Sequence, residues 1–132
     1  MAALGAREAK FLRVHELCRL ATASKDGRPH VVPVIYTLDG KGEDCRIVIV
    51  VDYKTRKLKN LRENPRVALV VDEYRPNRGL MVEGDCEIFE RGREYLRLLQ
   101  ILFDRFTFYR KNPWGEGESP ILKVRPTKAV MW

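Results

Sequence analysis

The sequence predicts a mainly β domain, an antiparallel barrel of about six short strands with helices at its periphery. Three observations carry this. Short β-branched runs recur at hairpin spacing, and Asp-Gly and Pro-Asn turn signals punctuate them. The strand–helix–strand alternation that a parallel sheet demands occurs once, around residues 54–63. The 132 residues contain no linker, repeat or low-complexity stretch, so residues 1–132 read as one domain with room for a hydrophobic core.

Residues 6–18 place Phe11, Val14 and Cys18 at helical intervals. RLATAS (19–24) is a strand, closed by Asp26-Gly27, because the mirror-image turns that suit strand twist need a positive φ that glycine takes cheaply. HVVPVIYTL (30–38) is the next strand. Its Pro33 has no N–H, so the strand is expected to leave its partner there and free backbone groups for another role. Asp39-Gly40 and Gly42 turn into CRIVIVVD (45–52), whose β-branched run suits a buried strand.

KTRKLKNLREN (54–64) is a helix carrying Leu58 and Leu61, stopped by Asn64-Pro65. RVALVVDEY (66–74) is a strand, and Pro76-Asn77-Arg78-Gly79 turns into LMVEGDCEIFE (80–90). Gly84 marks a bulge in that strand, while Glu83, Asp85 and Glu87 alternate along its outer face. The longest helix spans 93–109, with Tyr95, Leu98, Leu99, Leu102, Phe106 and Tyr109 on one face. Residues 110–120 are loop by composition, and 121–132 hold one or two short strands.

Composition narrows the function. No apolar run approaches the roughly 20 residues of a membrane span, and no basic-then-apolar leader opens the chain, so the cytoplasm is the expected compartment and no membrane partner is expected. Three widely spaced cysteines and two histidines offer no zinc set and read as buried reduced thiols, with no metal expected. The net charge is +7, and Lys54, Arg56, Lys57, Lys59, Arg62 and Arg66 crowd into thirteen residues with Glu63 as the only acid. Charge alone suggests nucleic acid; no recognition motif or aromatic–basic platform joins it, so no nucleic-acid partner is expected. GxSxG, GxGxxG and GxxxxGK[ST] are all absent.

The best candidate for chemistry is Thr55-Arg56-Lys57, where a strand hands over to a helix. A helix start offers unpaired N–H groups and a partial positive charge, which suit a phosphate that Arg56 can grip bidentately and Lys57 can attract as a point charge. The same residues also suit a solvated helix face. His30 is a packed strand histidine or a group that polarises a ligand carbonyl. No catalytic residue stands out.

RLATASKDGRPHVVPVIYTLDG, VDYKTRKLKNLRENPRVALVVDEY and GLMVEGDCEIFE together resemble the pyridoxamine 5′-phosphate oxidase-like superfamily, over about residues 11–132. The resemblance implies a six-stranded antiparallel split β-barrel of Greek-key type that forms a homodimer, with flavin or deazaflavin sites across the interface. It also implies that Thr55, Arg56 and Lys57 bind the cofactor phosphate, and that Val32, Pro33, Val34 and Ile35 lie along the ring beside His30. Val50 and Val51 would contribute main chain, Arg78 and Gly79 would reach the ring's polar edge, and Trp132 would reach the neighbouring subunit's flavin.

Thr37 stands, without a gap from the hairpin, where a pyridoxamine phosphate oxidase has its substrate-phosphate lysine. Gly79 stands where such enzymes typically carry glutamine, and their Arg-bearing tail beyond the tryptophan has no counterpart in this sequence. Oxidation of vitamin B6 phosphates is therefore not expected. The expected function is an FMN-binding oxidoreductase passing hydride through flavin N5 to a small unsaturated or carbonyl substrate. The alternatives are an F420-dependent reductase of the same superfamily and a non-enzymatic flavin carrier or redox sensor.

Overall fold

A computed structural model describes residues 3–132. Helix α1 (Ala6–Val14) leads into β1 (Leu17–Ala23), β2 (Pro29–Ile35), β3 (Thr37–Asp39) and β4 (Arg46–Val50). Helix α2 (Arg56–Glu63) is followed by β5 (Arg66–Glu73) and β6 (Arg78–Phe89), then α3 (Arg93–Arg105) and β7 (Ile121–Met131). Every pairing is antiparallel, in the order β2-β1-β5-β6-β7-β4-β3, so one curled sheet carries three helices. No helix is long and apolar enough to cross a membrane among the described residues.

Among the described residues there are seven strands, not six. The run expected as one strand over 30–38 divides at Tyr36, which is 1% exposed. Its hydroxyl donates to the Leu12 carbonyl (2.6 Å) and its N–H to the Glu16 carbonyl (2.9 Å). Those bonds hold the chain at the crossing from β2, paired with β1, to β3, paired with β4 at the far end of the sheet. Neither bond has a local sequence signal.

Pro33 does not break the ladder, contrary to expectation. The β1–β2 register runs unbroken from Leu17↔Ile35 to Ala23↔Pro29. The Ser24 N–H donates to the Arg28 carbonyl (3.0 Å), and counting in twos from that pair puts Pro29 and Pro33 at positions that exchange no hydrogen bond with β1. β2 is an edge strand, so the missing N–H points away from the sheet and costs nothing.

Other boundaries also move. Helix α1 stops at Val14, and Cys18 sits fully buried in β1. The His15 ring explains the stop: Nδ1–H donates to the Phe11 carbonyl at 2.8 Å, while Nε2 lies 2.8 Å from Glu73. Arg78 and Gly79 belong to β6 rather than to the preceding turn. Helix α3 ends at Arg105, and Phe106 is extended before a 3₁₀ turn over Thr107–Lys111 that carries Tyr109. Residues 121–131 form one long strand, and the expected bulge lies between Glu83 and Gly84.

Two cores result. The inner one fills the curl of the sheet with Leu12, Leu20, Ile47, Ile49, Leu69, Val82 and their neighbours. The outer one packs Tyr95, Leu98, Leu99, Leu102 and Phe106 on Val48 and Ile121. Strand β4 sits between them, which explains its unbroken apolar run. All three cysteines are buried free thiols, and burial pushes Cys18 and Cys86 up to about 12, leaving them inert near neutral pH.

Charged side chains clamp α3 to the sheet. Arg97 bonds both oxygens of Asp39 (2.8 and 2.6 Å), and Glu94 Oε2 accepts from Arg97 and from Lys123 (each 2.8 Å). Arg97 and then Lys123 hold Glu94 down to about 2, against an ordinary 4.5. A carboxylate depressed by folding contributes stability that is present above its unfolded value and is lost as pH falls toward its folded one. Stability should therefore decline between about pH 4.5 and 2, and Glu94→Gln should flatten that decline. Denaturant midpoints measured across this window check it; an unchanged slope in the variant would assign the acid sensitivity elsewhere.

Candidate functional site

The sheet opens along one seam, and the seam lies in a cleft. Strand β3 pairs with β4 only as far as Thr37↔Val48, so Val50 has no β3 partner. The Val51 N–H donates to the Pro120 carbonyl (3.0 Å), which by alternation turns the backbone N–H and C=O of Val50 away from β7. Ile35, at a position that exchanges no hydrogen bond with β1, turns its own pair away from β1. Both residues line a cleft of about 350 Å³ together with Val34, Val51, Asp52, Lys57, Tyr109, Trp114 and Ser119.

Helix α2 brings one residue, Lys57, to this cleft. No side chain caps its start: the Thr55 hydroxyl donates to the Asp52 carbonyl (2.8 Å) instead, leaving the first-turn N–H groups available. Lys57 is half-buried in the cleft wall, but exposed Arg56 lies in a separate groove with Ser24, Asp26, Arg28, Lys59, Asn60 and Glu63. Consecutive helical residues point about 100° apart, so the two cations serve different surfaces. The Ser24 hydroxyl above all, with Arg56 as a lesser influence, holds Asp26 below the usual carboxylate range.

The remaining candidates are dispersed. His30, Val32 and Val34 share one face of β2 and are half-buried, while Pro33 on the other face is exposed. His30 Nδ1 is buried without a hydrogen-bond partner among the described residues. Arg78 and Trp132 line another groove that shares no residue with the cleft. Gly79 lies beneath Trp132: the two exchange backbone hydrogen bonds (3.1 and 3.0 Å), and a Cβ at Gly79 would stand 2.3 Å from the indole. Gly79→Gln should therefore lift the indole off β6, red-shift its emission and cost about 1–3 kcal/mol. Fluorescence and thermal melting check this; an unchanged spectrum would mean the ring does not need the glycine.

Sequence reasoning missed Asp52, Tyr109, Trp114 and Ser119 as cleft residues. Trp114, in a segment read only as loop, was the available signal. Buried Tyr95 sets its position, accepting from Trp114 Nε1–H (3.0 Å) and donating to the Ser119 carbonyl (2.6 Å). Tyr109 and Phe103 meet the indole edge-on, both at 4.9 Å.

The sequence places this curled antiparallel sheet in the split-barrel flavin and deazaflavin oxidoreductase superfamily. Within it, the chain belongs to the family described as pyridoxamine 5′-phosphate oxidase, whose sequence model matches residues 4–132. Over 67 residues it is 37% identical to the 5a,11a-dehydrotetracycline/5a,11a-dehydrooxytetracycline reductase of Streptomyces rimosus subsp. rimosus, an alignment covering 51% of this chain and 47% of that protein. The chain spans about half the length of the curated relatives it matches.

Among solved structures, an F420 reductase is 28% identical with a TM-score of 0.65, covering 92% of this chain and 94% of that one. HutZ, the heme storage protein from Vibrio cholerae, has a TM-score of 0.77 at 17% identity, over 93% and 89% of the two chains. At that identity the likeness speaks for fold alone.

Proposed function

We propose that the chain is an oxidoreductase that holds the tricyclic ring of FMN in the seam cleft and passes hydride to a small substrate. The observation carrying this is the seam itself. Ile35 and Val50 pair on one side only, with Leu17 and Ile121, and their backbone N–H and C=O turn the other way beside a cleft of about 350 Å³, a size suited to a small ligand. A ring with polar edges can meet those groups, and the uncapped start of α2 with Lys57 suits its phosphate. The orphaned Nδ1 of His30 offers a further polar atom on the same strand.

In this reading Lys57 and the first-turn N–H groups of α2 hold the phosphate. Ile35 and Val50 orient the ring, and Tyr109 and Trp114 limit water at its side. When bound, the flavin supplies hydride chemistry at N5, and the surrounding hydrogen bonds tune it. Buried Thr37 carries no charge for a substrate phosphate, which supports a substrate other than a vitamin B6 phosphate. A homodimer is part of the reading, supported by exposed apolar Val31 (62%) and Val130 (45%).

A second reading, F420 in the same cleft, is supported by the likeness to an F420 reductase over nearly the whole chain. The outward groove of Arg28, Arg56 and Lys59 suits that cofactor's longer anionic tail. The absorption spectrum and mass of the copurifying small molecule decide between them: a band near about 450 nm is expected for FMN and about 420 nm for F420. A colourless protein that takes up neither added compound would overturn both.

A further inference from the structure

We propose that the groove between α1 and the end of β7 binds a planar apolar molecule carrying a carboxylate. The groove is about 490 Å³. Phe11, Val14, Met131 and Trp132 supply its apolar surface, with Trp132 at 53% and Val14 at 67% exposure despite their size. Arg7, Lys10 and Arg78 supply its charge, and no acid lines it.

The three cations are not equivalent. Arg78 is already bound by both oxygens of Glu73 (3.0 and 3.1 Å) and lies over the Phe11 ring at 5.7 Å, so it stiffens the floor. Arg7 and Lys10 make no ion pair among the described residues. They stand one helical turn apart on α1, with Val14 one turn further along the same face. An open indole faces two uncommitted cations across an apolar floor. That arrangement complements a flat apolar body with an anionic end, not a neutral molecule or a bare ion.

This binding does not rest on the cofactor reading. None of the residues lining the groove lines the cleft.

Calorimetric titration of the full-length protein with 2-naphthoate and its neutral isostere 2-naphthamide tests the groove. The naphthoate should bind at least about tenfold more tightly and quench the tryptophan emission. Arg7→Gln with Lys10→Gln, both exposed positions on α1, should bring naphthoate to the level of the amide. Trp132→Ala should weaken both compounds alike. Equal binding of the two compounds, a preference that survives the double substitution, or no binding at all would overturn the proposal.

FMN and F420 titrated into the same samples separate the two readings. Cofactor binding without naphthoate binding removes the groove assignment alone. Naphthoate binding without uptake of either cofactor removes the cofactor reading and leaves the groove as an acid-binding site. Cofactor affinity should be unchanged by the double substitution.

Discussion

Replacing Lys57 by alanine should weaken FMN binding by about ten- to a hundredfold, whereas Arg56→Ala should cost less than about threefold. A charged hydrogen bond contributes about 1.5–3 kcal/mol, and each 1.4 kcal/mol is tenfold in affinity. Lys57 is half-buried in the cleft wall, where solvent screens it less than at an open surface. Arg56 is exposed and faces a groove that already contains Asp26 and Glu63, so part of its charge is answered within the protein. Riboflavin, lacking the phosphate, is the control and should bind equally to all three proteins. Equilibrium fluorescence titration checks the order. A larger loss from Arg56→Ala would move the phosphate to the outer groove. Equal losses for FMN and riboflavin would make Lys57 a wall of the ring pocket rather than a phosphate ligand.

Tyr95→Phe should cost about 2 kcal/mol and lower the melting temperature by about 6–10 °C, while also weakening cofactor binding. One hydroxyl, on a residue with no solvent exposure, accepts from the Trp114 indole and donates to the Ser119 carbonyl. Phenylalanine keeps the ring's packing in the outer core but leaves both partners unpaired, and the penalty comes from those orphaned groups. Trp114 and Ser119 line the cleft, so loosening them should reach the ligand even though Tyr95 does not line it. Tyr109→Phe is the matched control. The Tyr109 hydroxyl makes no hydrogen bond among the described residues, so its removal should leave the melting temperature within about 1–2 °C. Melting and titration of both variants check this. An unaffected Tyr95→Phe protein would show that packing alone positions the Trp114 loop.

Several elements were legible in the sequence because their signals are local. Asp26-Gly27 marks the β1–β2 hairpin and Gly27 takes the positive φ (88°), although the loop is the three residues 25–27 with Gly27 N–H bonded to the Ser24 carbonyl, not the mirror-image turn expected, because Asp26 keeps a negative φ. The periodicity of Leu98, Leu99 and Leu102 marks the buried face of α3, and Leu58 with Leu61 that of α2. Gly84 marks the bulge because a Cβ there would stand 2.5 Å from the Arg125 carbonyl. The crowding of Lys and Arg around residue 57 was visible, but which cation faces the cleft was not.

The chain's own residues thus determined the antiparallel β class, the helices that cover the sheet and the basic stretch at the start of α2. Tertiary structure alone decided where the sheet opens. Pro33 drew attention to β2 through its missing N–H, yet the backbone groups released into the cleft belong to Ile35 and Val50, fifteen residues apart. They face one another because Tyr36 is held to the Leu12 carbonyl while β3 and β4 pair at the other end of a seven-strand order. Turns and helix faces follow from sterics and side chains within a few residues. A seam between distant strands exists only once long-range pairing has set which strands meet, and here it pairs Ile35 and Val50 on one side and leaves the other side open among the described residues.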